Sequence, residues 1–173
     1  MKILRAKDYK RMPWKNGGGE TVEIAVFPEK ASLGDFDWRV SMATVATDGP
    51  FSSFPDIDRT LSILQGKGMR LMIEGRAPVL MTGETAPLPF PADAATSATL
   101  VDGPIVDLNV MTRRGKLAHS VQRLAIDQLV RLAQGSNGFG RKTATAHALE
   151  VHAARLGRIT EHRDKGRHIL ANG

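Results

Sequence analysis

Between Phe36 and Val45 the chain reads FDWRVSMATV, and residue character alternates through the segment. Phe36, Trp38, Val40 and Met42 share one face of an extended chain, while Arg39 and Ser41 share the other. A period of two belongs to a β-strand, and a strand with one charged face needs a polar partner on that side. Asp107 to Met111 repeats the pattern, with Asp107 and Asn109 on one face and Leu108 and Val110 on the other. Shorter segments of the same kind run Glu20–Phe27, ending at Pro28, and Arg59–Gly66. Met69–Glu74 and Ala77–Leu80 read as a hairpin about a two-residue Gly75-Arg76 turn. Ala98–Val101 is expected to pair with Ile105–Met111 through Asp102-Gly103-Pro104. Many short strands with turn residues between them predict an all-β sandwich or barrel.

The last third is different. Through Thr112 there are 12 Lys/Arg and 14 Asp/Glu, a net charge of −2; from Arg113 onward there are 12 and 4, a net of +8. All five histidines lie in that second part, so the overall +6 belongs to the C-terminal third alone. Ser120–Ile126 reads as a strand, Asp127–Gln134 as strand or helix, and Thr143–Ile159 as a weak helical face. The organisation expected is a β region over residues 1–135 and a basic segment over 136–173, either a second-barrel remnant or a poorly ordered tail. Cysteine is absent, which excludes disulfides, thiolate nucleophiles and sulfur-ligated zinc. No apolar run has membrane-spanning length and the N-terminus lacks a signal-peptide core, so no membrane partner and a cytoplasmic address are expected.

Trp14-Lys15-Asn16-Gly17-Gly18-Gly19 is the most unusual string. Successive glycines fit a bulged turn stapled by Trp14, or a loop whose N–H groups cradle an anion. Arg39, if it faces a barrel interior, requires a carboxylate such as Asp107 or a ligand's carboxylate, and Arg59 raises the same question. Asp107 and Asn109 fit a polar pocket wall or a solvated face, and Arg113-Arg114 an anion-attracting or merely solvated strand end. No His-x-His or Gly-x-Ser-x-Gly occurs and residues 1–118 hold no histidine, so no metal, cofactor or serine-hydrolase site is expected. The basic segment has Phe139 as its one aromatic, so nucleic acid would be met non-specifically at most.

Together these segments resemble the HutD/Ves family. The resemblance rests on Trp14–Gly19 with Thr21 and Glu23-Ile24; on Trp38-Arg39, Ser41 and Ala43; and on Asp48–Pro55 with Asp58-Arg59 and Leu61. It continues through Pro89-Phe90-Pro91 with Asp93, Gly103-Pro104, Asp107–Met111 and Arg113-Arg114, covering about residues 3–126. Asp56 and Ala92 stand where the family has glycine. The resemblance implies a bicupin, two packed cupin-like β-barrel halves in one chain, with no metal. Beyond Gly135 the apolar alternation fades, so the second half is expected to be incomplete, whether by divergence, truncation or a shifted frame.

Family members are associated with histidine utilisation, and the resemblance implies binding of a small acidic metabolite such as urocanate or N-formylglutamate. Asn16, Gly17, Gly18, Arg39, Arg59, Asp107 and Asn109 are the candidate ligand-binding residues, with no catalytic residue assigned. Arg39 and Arg59 would hold a carboxylate, Asn16 and Asn109 would read amide or imidazole atoms, and Asp107 would orient an arginine or accept a ligand N–H. A homodimer is compatible with this reading. The rival is a metal-free cupin isomerase or lyase with Asp107 or Glu23 as general base.

Overall fold

A computed structural model describes residues 5–126, 146–155 and 168–171. Its elements, after a short 3-10 turn at Ala6–Asp8, are strands. They are β1 (Lys10–Pro13), β2 (Gly19–Phe27), β3 (Trp38–Val45), β4 (Gly49–Pro50), β5 (Ile57–Gln65), β6 (Met69–Ile73) and β7 (Val79–Met81). There follow β8 (Leu88–Pro91), β9 (Thr96–Leu100), β10 (Ile105–Arg113), β11 (Leu117–Ile126), β12 (Ala146–Arg155) and β13 (His168–Ala171). The all-β class expected from the alternation is what forms.

The strands pair antiparallel in three open sheets: β1-β2-β3-β10-β5-β8, β4-β9-β6-β7 and β11-β12-β13. Ala43, Val45, Leu61, Ile63, Phe90 and Ile105 of the first sheet pack on Met69, Leu71, Ile73, Met81 and Ala98 of the second. This is the main apolar core. On the opposite face of the six-stranded sheet, Ile24, Leu108 and Val110 pack with Val40, Met42, Leu64 and Val121 of β11. Both faces of the sheet are therefore covered at its centre, and its middle strand β10 is buried at seven of its nine positions.

Three expectations change. Ala98–Val101 and Ile105–Met111 do not pair, because β9 lies between β4 and β6 while β10 lies between β3 and β5. The Asp102-Gly103-Pro104 turn carries the chain from one sheet to the other. The hairpin of β6 and β7 does form, but its last registered pair is Leu71↔Val79, so the connection is longer than Gly75-Arg76. Third, residues 146–155 form a strand rather than a helical face, paired along β11 on one side and β13 on the other. Cross-strand pairing there overrides a weak helical pattern. Arg39 and Ser41, whose face the alternation left open between interior and outside, are buried more deeply than Trp38, Val40 and Met42. Of the segment assigned to residues 136–173, β12 and β13 are described; its remainder, like the Asp127–Gln134 segment, lies outside the described residues.

Asp56 has a φ of 58°, the left-handed region, which explains why glycine suits this turn. Its carbonyl accepts from Arg114 N at 2.8 Å, tying the turn to the end of β10. An aspartate tolerates that conformation better than most residues but less well than glycine. Asp56→Gly should raise stability by a few tenths to about 1 kcal/mol, and Asp56→Val should lower it by about 1–2 kcal/mol. Urea midpoints at constant m-value measure both.

Candidate functional site

Strand register gathers the charged residues. In an antiparallel pair, registered residues point to the same face. Met111 of β10 is flanked by Arg39 and Arg59, Asn109 by Ser41 and Leu61, and Asp107 by Ala43 and Ile63. Because Ala43, Leu61 and Ile63 belong to the core between the two larger sheets, Arg39, Arg59, Asp107 and Asn109 face that same space. Arg39 and Arg59 are each 5% exposed and Asp107 1%.

Arg39 is paired, though not with Asp107. Its Nε donates to Glu23 Oε2 at 2.7 Å, both side chains being almost enclosed. Glu23 is registered with Ser41, next to Arg39 on the same face of β3. The alternation of Thr21 and Glu23 in β2 carried that signal, but pairing register was needed to read it.

Arg59 is held differently. Its guanidinium lies 5.4, 5.3 and 5.7 Å from the ring centroids of Phe51, Phe54 and Phe90. Aromatic faces attract a cation, and more strongly when water is excluded. Nη2 donates to the Ser52 carbonyl at 3.3 Å, while Nε is buried with no hydrogen-bond partner. Burial pulls the Arg59 pKa down to about 10, against the attraction of Asp107 and with the repulsion of Arg39. Phe51, Phe54 and Phe90 fall within the family-like motifs, but nothing in their spacing announces a cage around one cation.

Asp107 faces the opposite problem. Burial pushes its carboxyl up to about 7, although Arg59, the Ala43 backbone and Asn109 all favour the charged form. Asn109 Nδ2 donates to Asp107 Oδ1 at 2.7 Å, which fixes the amide's orientation. No ion-pair contact within 4.0 Å joins Asp107 to Arg59 among the described residues. Two opposite charges thus share a low-dielectric interior without touching, an arrangement that can receive an anion at Arg59 and a hydrogen-bond donor at Asp107.

Asn16, Gly17 and Gly18 are not brought to this cluster. They form the tip of the β1–β2 hairpin, where Gly17 N donates to Trp14 O at 3.0 Å and Gly18 N to Asn16 Oδ1 at 3.0 Å. The N–H groups of Gly17 and Gly18, considered as anion donors from sequence, are used inside the loop. Trp14 Nε1 donates to Thr21 Oγ1 at 2.8 Å, and a Cβ on Gly19 would overlap the Thr44 carbonyl oxygen. The bulged-turn reading accounts for these glycines. Arg113 and Arg114 are likewise committed: Arg113 donates to the Gly34 and Phe36 carbonyls, and Arg114 bridges Asp58 and Asp93 at 2.9 and 3.0 Å. Among the described residues no three His, Asp or Glu side chains converge in a metal-holding group.

Asp107 makes stability depend on pH. The unfolded carboxyl releases its proton near 3.8, whereas the folded one holds it to about 7. Between those values the folded state binds more protons, so stability falls as pH rises through the window. Asp107→Asn should remove that component, on the order of a few kcal/mol, and flatten the melting temperature against pH relative to the parent. Parallel slopes for the two proteins would contradict this assignment.

The HutD family model matches residues 6–159. A Pseudomonas putida protein described as an uncharacterized 21.2 kDa protein in the hutC 3' region is 41% identical over 113 residues, 64% of this chain and 57% of its own length. Protein Ves of Citrobacter koseri is 39% identical over 120 residues, 66% of this chain and 61% of its own. The chain therefore spans about three fifths of the length of these relatives. Among solved structures, HutD from Pseudomonas fluorescens SBW25 superposes with a TM-score of 0.63 at 37% identity, covering 70% of this chain and 65% of that one. A conserved protein of unknown function from Pseudomonas aeruginosa PAO1 gives 0.66 at 41%, covering 73% and 64%. With the family model spanning most of its length, this chain belongs to the HutD/Ves family.

Proposed function

We propose that this chain binds a small acidic intermediate of histidine breakdown, urocanate or N-formylglutamate, and so modulates histidine utilisation. The observation that carries the reading is Arg59, a buried cation whose Nε has no partner and whose ring-lined surroundings exclude water. A ligand carboxylate would satisfy Nε and relieve the uncompensated charge. Asp107, held by Asn109 on the next inward position of β10, would accept a ligand N–H. Urocanate and N-formylglutamate each pair a carboxylate with such a donor. Arg39 is a supporting residue in this scheme, since Glu23 already neutralises it. The association of one relative with a hut region fits the same pathway. A two-barrel organisation, a cytoplasmic address and any homodimer belong to this proposal as well.

Calorimetric titration with urocanate, N-formylglutamate, histidine and glutamate tests it. One of the two named acids should bind, and at a hundredfold excess over its dissociation constant should add about 2.7 kcal/mol of stability. Arg59→Gln should cost roughly 2–5 kcal/mol of that affinity, whereas Asn16→Ala should leave it unchanged. No heat from either acid, with a cooperatively melting protein, would end the histidine-pathway assignment.

A second reading, a metal-free isomerase or lyase, is favoured by Asp107, because a carboxyl near 7 is matched to general-base work at neutral pH. Glu23 suits that task less, being tied to Arg39. On this reading proton NMR in deuterated buffer should show exchange of a carbon-bound proton of the bound acid, lost in Asp107→Asn. Binding without exchange would favour the non-catalytic reading.

A further inference from the structure

A histidine clamps β11 to the outer face of the six-stranded sheet. His119 is half-buried, and hydroxyls of that sheet occupy both of its ring nitrogens. Nε2 lies 2.9 Å from Thr60 Oγ1 of β5, and Nδ1 lies 2.7 Å from Thr112 Oγ1 of β10. A neutral imidazole has one donor and one acceptor nitrogen, and a hydroxyl can meet either. The ring is therefore matched to both threonines only while it is neutral. The rest of the seam is held by Val121, which packs with Leu108 and Val110, and by Arg123 Nη2, which donates to the Ile63 carbonyl at 2.8 Å.

Adding a proton turns the acceptor nitrogen into a donor. One threonine hydroxyl then loses the acceptor for its own proton, in a seam closed to water: Thr60 is 5% exposed and Thr112 1%. The proton also brings a positive charge into that seam, where both nitrogens are already taken by hydroxyls. Asp58, two positions before Thr60, attracts the ring through space, but Arg114 engages it at 2.9 Å. Along β11 the same face carries Leu117, Val121 and Arg123, and Lys116 at the strand's start pairs with Asp37 at 3.0 Å. Trp38 of β3 is registered with Thr112. Strand β12 sets Ala153 in register with His119, Val151 with Val121 and Arg155 with Leu117, while its acid, Glu150, is registered with Gln122, which alternates to the other face. Burial outweighs Asp58 and holds the imidazole below its ordinary range.

We propose that His119 is a proton-operated latch, whose protonation releases β11, and the three-stranded sheet with it, from β5 and β10. The unfolded imidazole takes up its proton near 6.5 and the docked ring only at lower pH. The latch's contribution is thus whole above that value and is lost as pH falls through the docked ring's pKa. Asp107, on the opposite face of β10, acts with the opposite sign.

Amide hydrogen exchange, corrected for its intrinsic pH dependence, and the His119 ring signals in NMR spectra test this together. As pH is lowered from about 8 to about 5, protection of the β11 amides should fall in step with protonation of the ring. The fall should reach up to about tenfold per pH unit, while protection in β6 and β9 does not fall. His119→Gln keeps a donor and an acceptor without the titration, and should flatten the β11 profile. Should that variant fail to fold, the parent's ring titration set against its own β11 protection decides. A ring that titrates at or above its ordinary value, or one that becomes protonated with β11 still fully protected, would overturn the proposal. So would an unchanged pH dependence in His119→Gln. None of these outcomes touches the Arg59 reading, since no ligand is added.

Discussion

Everything inside the six-stranded sheet depends on how four ionisable groups share one desolvated space. Arg39 and Glu23 neutralise one another directly, at 2.7 Å. Arg59 and Asp107 interact only through space, and burial pulls the first pKa down and pushes the second up against that attraction. A contact pair is a stable solution in a low dielectric; a separated pair is not, unless something else meets each charge. The protein partly provides this with three phenylalanine rings for the cation and Asn109 for the carboxylate. What the rings do not supply is a hydrogen-bond acceptor for Arg59 Nε.

The arginines of this chain divide by depth. Arg113 and Arg114, at the end of β10, spend their donors on carbonyls and on Asp58 and Asp93, so they brace the rim. Arg114 holds the Asp93 carboxyl below the usual carboxylate range by hydrogen bonding, although both groups are exposed to solvent. Solvent screening limits what such a pair adds to stability. Its value lies in fixing the Asp56 turn, beside which Arg59 enters the core. The Gly17–Gly19 loop acts similarly at the other end: it closes a hairpin and lets β2 approach β3 closely.

Much of this was legible in the sequence and some could not be. Alternation in β3 and β10 put Arg39 with Ser41 and Asp107 with Asn109 on shared faces, because a period of two is local information, but it could not say which face is inward. Partner choice is not local. Glu23 rather than Asp107 meets Arg39 because β2, not β10, presents its carboxylate there, and only the register decides that. The polar face of β3 turned out to be the more buried one, since β11 covers the apolar face incompletely while two sheets enclose the other. The crossover after β9 was misread for the same reason: Asp102-Gly103-Pro104 marks a turn, but whether a turn joins neighbours or changes sheets depends on which strand edges are already taken. Strand β12 carries too few large side chains to declare itself, and its pairing with β11 and β13 decides its conformation.

The central claim is that Arg59 Nε awaits a ligand's carboxylate. Nitrogen-15 correlation spectra of the arginine side chains report that proton directly. On addition of urocanate or N-formylglutamate to saturation, the Arg59 Nε–H resonance should move strongly downfield while that of Arg39, already bonded to Glu23, stays nearly fixed. A saturated complex in which the Arg59 resonance does not move would place the ligand elsewhere and contradict the account.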